Sequence, residues 1–274
     1  MDLKSLSETL PWDWPEKAGK FFLGILCNDQ AEESDRILAA ELAGDFTVVS
    51  DEHADALLSI VSNGDETEEL RGAAVISLGP ALEHAYIDGF EDADDALISE
   101  ATYRMIQESL LKLYMDSDVP KEVRRRILEA SVRAPEDWHQ DAVRTAYTSD
   151  DESWKFTAVF CMRYIRGFED QILEALESEN PEIHYQAVRA AGNWEVDAAW
   201  SHIAGLATAE DTDKPLLLAV IDAMAIIRPL DSAEILLKLT ESDDEDIVEA
   251  AFEAMAMAEG LSDDDYGDDD NEFF

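Results

Sequence analysis

Apolar residues recur along most of this chain at three- and four-residue spacing, and no stretch sustains the period-two alternation of a strand. The clearest case is 180–192, Asn-Pro-Glu-Ile-His-Tyr-Gln-Ala-Val-Arg-Ala-Ala-Gly. Asn180 is a good helix cap, Pro181 suits a first turn, and Gly192 falls where a helix can end or pack closely. Versions of this helix recur. Aligned on Ala187, the anchors are Ala39, Ala74, Ile127, Ala158, Ala187, Val220 and Ala251, separated by 35, 53, 31, 29, 33 and 31 residues.

The columns around the anchor share chemistry. Four residues before it stand Leu70, Val123, Trp154, Ile183, Leu216 and Ile247, and one after it Val75, Leu128, Val159, Val188, Ile221 and Phe252. Three after it come the small residues Ser77, Ala130, Cys161, Ala190, Ala223 and Ala254. These positions share one helical face, and the small column lets a neighbouring helix approach. Cys161 is thereby expected to be a buried structural thiol. Seven before the anchor lie the cap residues Thr67, Asp151, Asn180, Asp213 and Asp244, while Gly44, Gly79 and Gly192 fall five after it.

Partner helices are predicted over 52–62, 98–114, 136–147, 168–176, 196–207 and 232–240. A helical extension over 80–87 and the acidic loop 88–95 explain the long second spacing of 53 residues. That loop lacks glycine at the sixth place of any Asp-started register, which argues against a calcium loop. The expected architecture is an all-α, right-handed α-solenoid (superhelix) of about seven helical pairs over 16–260. An N-terminal cap segment, 1–15, is read as extended around Pro11, with Trp12 and Trp14 lying over the first apolar face. A disordered acidic tail, 261–274, ends in Phe273 and Phe274 as a short docking tip.

Charge narrows the partners. The chain holds 64 acidic and 20 basic residues, a formal net charge of -44. Only seven of the acids lie in 263–274, so the field belongs to the folded body as well. Nucleic acid and anionic membranes need clustered Lys and Arg and are excluded as partners, whereas a basic protein fits. Cys27 and Cys161 form no metal-type or redox-type pair, the N-terminus reads as no signal peptide, and the longest apolar run, 216–227, is too short to span a bilayer. A cytoplasmic protein is expected.

The closest copy of a known pattern is Leu70-Arg71 with Ala74, Leu78 and Gly79. Val123-Arg124 repeats the pair, and Asp151 with Lys155 and Ala158 keeps the acid and base. The chain here resembles the HEAT-repeat family, in its short bacterial form similar to phycobilin-lyase-type repeats. His184, Leu217 and Val248 depart from the family's arginine. The resemblance implies that the basic column Arg36, Arg71, Arg124, Lys155 and His184 pairs with acids of adjacent turns as a structural ladder.

Catalytic motifs are sparse. One family of similar fold binds two irons through His-Glu dipeptides, but His53, His84, His139, His184 and His202 are each followed by another residue. DNA-base-removing relatives need a basic concave face, and no residue here specifies a tetrapyrrole. No phosphate loop, His-Glu-x-x-His helix or nucleophile elbow is present. The sequence therefore implies no cofactor, no metal and no catalytic residue. The leading reading is a non-enzymatic scaffold or adaptor. An acidic chaperone or nucleic-acid mimic for a basic protein is the alternative, and a phycobilin-lyase-like accessory enzyme the second. Positions two before and two after the anchor point away from the stack. In the middle two repeats they hold Phe156, Phe160, Tyr185 and Arg189, the aromatic and arginine anchors expected of a partner-binding face.

Overall fold

The computed structural model describes residues 1–90, 96–209 and 211–264, with side chains through 258. Among them the regular structure is helical, without strands. The chain runs through α1 (Leu3–Ser7), a 3₁₀ turn (Pro11–Asp13), α2 (Ala18–Leu26), α3 (Glu33–Ala43), α4 (Asp51–Ser62) and α5 (Glu68–Ile76). Then come α6 (Gly79–Asp88), α7 (Glu100–Met115), α8 (Lys121–Ser131), α9 (Asp137–Tyr147) and α10 (Glu152–Cys161). The remainder is α11 (Glu169–Ala175), α12 (Pro181–Asn193), α13 (Trp200–Thr208), α14 (Lys214–Ile227), α15 (Pro229–Leu239) and α16 (Glu245–Asp264). Two compact units result, Met1–Ala142 and Val143–Phe274.

Each unit is a stack of helical pairs. In the first, α2 packs on α3, α4 on α5 and α7 on α8, and the second helices α3, α5 and α8 follow one another. In the second, α11, α13 and α15 pack on α12, α14 and α16, and α10, α12, α14 and α16 run in succession. This is the α-solenoid arrangement. The small column works as expected, with Ser77, Ala130, Cys161, Ala190, Ala223 and Ala254 all buried. Side-chain caps start the second helices. Thr67 accepts from the Leu70 amide at 3.3 Å, Asp151 from Ser153 at 3.1 Å, Asn180 from Glu182 at 2.9 Å and Asp213 from Leu216 at 3.0 Å.

Close helix approach sets two glycines. A Cβ on Gly44 would lie 2.4 Å from the Ser77 carbonyl oxygen at the end of α5, and one on Gly192 would lie 3.0 Å from the Ala223 backbone in α14. Gly44→Ala is therefore expected to destabilise the first unit by about 2 kcal/mol in urea unfolding. Gly205→Ala, in mid-α13 with open space around it, is expected to stabilise by about 0.8 kcal/mol. Equal effects at the two positions would refute the close-approach reading.

The N-terminus differs from the extended segment expected of it. Asp2 caps α1 by accepting from the Ser5 amide at 3.1 Å, and Leu3 and Leu6 are buried. Pro11 opens a 3₁₀ turn, a position its fixed φ suits. Trp14 caps as anticipated: its ring meets Phe22 edge-on at 5.2 Å, and its indole N–H donates to the Leu6 and Thr9 carbonyls. Trp12 is exposed instead. At the other end α16 continues through Asp264, past the expected start of the tail. Residues 265–274, with Phe273 and Phe274, and residues 91–95 of the acidic loop lie outside the described residues.

Candidate functional site

The second helices of each unit border a hollow. In the first unit about 800 Å³ is lined by Ile37, Glu41, Glu69, Gly72, Glu122 and Arg126, among others. In the second, about 500 Å³ lies over the N-terminal halves of α12 and α14 beside α10. Its apolar lining is Phe156, Tyr185, Pro181, Pro215 and Leu216, and its polar lining Glu182, Gln186 and Asp213. Both hollows use positions two before the anchor. Ile37 and Gly72 occupy them in the first unit, Phe156 and Tyr185 in the second. The aromatic pair gives the smaller hollow its character.

Local sequence explains this placement. Pro181 and Pro215 sit in the first turns of α12 and α14, where no intrahelical amide is lost. The same rings form part of the hollow's wall. The cap carboxylate of Asp213 stands at its edge, so a starting signal for α14 also supplies negative charge. Arg189 extends the site by donating from Nη1 to the Tyr185 hydroxyl at 3.4 Å.

Phe160 departs from the expected face. It is 7% exposed, with the Tyr164 ring 5.5 Å away and the Arg163 guanidinium over its ring at 5.4 Å. The turn after α10 folds these side chains back over it. Phe160 is a packing residue, while Phe156, Tyr185 and Arg189 remain half-buried along the hollow and its approach.

The basic column is more varied than a ladder of ion pairs. Arg36 forks onto both Glu66 oxygens at 2.8 Å, a charge-assisted pair that raises its pKa. The Lys155 ammonium reaches Glu174 at 3.6 Å and lies over the Tyr147 ring at 4.9 Å. Arg71, by contrast, donates from Nε to the Val61 carbonyl in the last turn of α4, and Arg124 to the Val119 carbonyl just before α8. Cations there satisfy orphan carbonyls, and at α4 they also meet the negative end of the helix dipole. Burial lowers the Arg71 pKa. His184 meets another histidine, its Nε2 3.0 Å from Nε2 of His202, whose Nδ1 lies 3.3 Å from Glu177. Burial, and then His202, lower the pKa of His184.

Among the described residues no three His, Cys, Asp or Glu side chains are grouped to hold a metal ion. No described helix is long and apolar enough to cross a membrane. Cys161 is buried and Cys27 exposed, and the two are not joined by a disulfide.

Repeated helical pairs with a small-residue column bear directly on kinship, and residues 169–256 match the HEAT repeats family. This match lies wholly within the second unit. The matched segment runs from α11 into α16 and so includes Tyr185, Arg189 and the two prolines of the hollow. No curated protein matches the sequence. Among solved structures, an engineered protein is similar at 16% identity, covering 90% of this chain and 98% of that one, with a TM-score of 0.37. Human deoxyhypusine hydroxylase in complex with glycerol is similar at 14% identity, covering 94% and 96%, with a TM-score of 0.40. Neither likeness carries a functional argument.

The walls contributed by Pro181, Pro215, Leu216 and Asp213 were missed from sequence. The signal was present in the register. These residues lie four to seven before their anchors, at the same end of the second helices as Phe156 and Tyr185.

Proposed function

We propose that the chain is a non-catalytic protein-interaction scaffold of the cytoplasm, receiving a basic protein segment in the hollow formed by α10, α12 and α14. The supporting observation is the convergence of Phe156 and Tyr185, chosen from the repeat register, with Pro181, Pro215 and Leu216 in one open cleft. An aromatic floor supplies apolar contact area at small entropic cost. Glu182 and Asp213 beside it favour Lys or Arg at the segment's flanks. The net charge of -44 steers such a segment from a distance.

The test is affinity capture from the native host with the full chain, compared quantitatively with Tyr185→Ala and Phe156→Ala. At least one partner is expected to fall by about tenfold with either variant, and by a similar factor when salt is raised from 50 to 200 mM, while circular dichroism stays helical. Capture that is unchanged by both substitutions would remove the hollow from function. Loss with salt alone would leave an acidic chaperone acting through its overall field.

A further inference from the structure

The last described repeat leaves exposed a face that the comparable helices within each unit bury. Positions three before, one after and five after the anchor form one side of each second helix, turned toward the next repeat. At one after the anchor, Ala40, Val75, Val159, Val188 and Ile221 are buried completely. At five after, Gly44 meets Ser77, Gly192 meets Ala223, and Gly79 meets the Arg133 side chain and then the Ala130 Cα at 3.6 Å. In each of those junctions the incoming helix offers its small-column residue. On α14 the same side is Leu217, Ile221 and Ala225, packed with Leu236, Ala254 and Ala258 of the final pair.

On α16 the equivalent side is Val248, Phe252 and Ala256. Phe252 is 57% exposed, and Ala256 is exposed as well. On α15, Leu230 and Leu237, two turns apart on one face, are also exposed. The side of α16 that corresponds to these buried faces therefore carries an exposed phenylalanine.

We propose that this side of α16 docks an amphipathic α-helix of a basic partner protein, laid down as the next second helix of the stack. The packing rule of the other junctions specifies its contact residues: an apolar residue, a small or β-branched residue four further on, and a small residue three beyond that to sit on Ala256. Charge selects its flanks. The segment 245–264 contains Glu245, Asp246, Glu249 and Glu253 and no Lys or Arg, so the rim favours Lys and Arg. The same charge disfavours a second copy of this chain, because two such rims would face each other. The surface is separate from the hollow at Tyr185, and the two readings fail independently.

The probe is a synthetic helix of about five turns carrying Leu, Ala and Ala at those three contact positions, with Lys on its outer faces, measured by fluorescence anisotropy against the full chain. Phe252→Ser is expected to weaken binding by about tenfold, while Trp12→Ser, at an exposed aromatic belonging to neither surface, leaves it unchanged. A peptide with Trp at the second small position, or with Glu for Lys, is expected not to bind. Equal affinity for the wild type and Phe252→Ser would overturn the proposal. So would sedimentation showing a dimer of the chain that Phe252→Ser dissolves, which would make a second copy the occupant. Tighter peptide binding in the Phe273→Ser/Phe274→Ser double variant would overturn it too, assigning the face to the chain's own C-terminal residues.

Discussion

Replacing Glu66 by Ala is expected to cost the first unit about 4 kcal/mol, seen as a lowered denaturation midpoint. Arg36 and Glu66 meet through two bonds of 2.8 Å, with side chains only 8% and 16% exposed. Without Glu66 the guanidinium stays between α3 and the start of α5 with little to replace its partner. Its contact to the Leu26 carbonyl is long, at 3.5 Å, and its buried Nε has no acceptor. An unpaired buried cation costs far more than a screened surface pair returns. Arg36→Met combined with Glu66→Leu is expected to recover most of the loss, since apolar pairs of similar volume often replace buried ion pairs without penalty. The loss should also persist at 1 M salt, because partly buried pairs are weakly screened. A Glu66→Ala variant within about 0.5 kcal/mol of wild type would show that the pair behaves as a surface contact.

That pair illustrates how far the sequence could be read. The anchor register placed Arg36 in a basic column, and the resemblance to HEAT repeats implied that this column pairs with acids of adjacent turns. Arg36 and Lys155 have such partners. Arg71 and Arg124 instead donate to backbone carbonyls at Val61 and Val119. Carbonyl oxygens carry no residue identity, so no sequence pattern points to them. The scaffold was legible because burial depends on residue size at fixed spacing, which is why Ser77 through Ala254 all pack inside. Phe160 was misread for a related reason. Register gives the direction a side chain leaves its helix, but not that Arg163 and Tyr164 return over it from the following turn. The hollow was half legible. Phe156 and Tyr185 came from spacing, while Pro181 and Pro215 were read only as first-turn residues.

Acid should destabilise the first unit through His139, by about 3 kcal/mol between pH 7 and pH 4. The ring is fully buried, and desolvation lowers its pKa to about 4. Its hydrogen bonds select a neutral tautomer. The Ser131 hydroxyl donates to the Ile127 carbonyl at 2.7 Å, so His139 Nε2–H donates to Ser131 Oγ at 3.0 Å. Nδ1 then accepts from the Glu136 amide at 2.9 Å, and the ring stacks on Trp138 at 3.8 Å. A proton added at Nδ1 would face that amide hydrogen, while the Glu136 carbonyl 3.1 Å away would accept it and offset part of the desolvation. An unfolded histidine has a pKa near 6.5, so as pH falls through that value the unfolded chain takes up the proton first. The stability is therefore complete above about pH 6.5 and is lost progressively as pH drops toward 4. Protonation of carboxylates in so acidic a chain relieves their mutual repulsion and acts in the opposite sense. Comparison with His139→Gln removes that background. Wild type is expected to lose its advantage over the variant by about 3 kcal/mol across the window, at about 1.4 kcal/mol per pH unit where the slope is steepest. A pH-independent difference between the two proteins would mean that the buried ring keeps its proton equilibrium unchanged on folding, and that the hydrogen-bond assignment at Nδ1 is wrong.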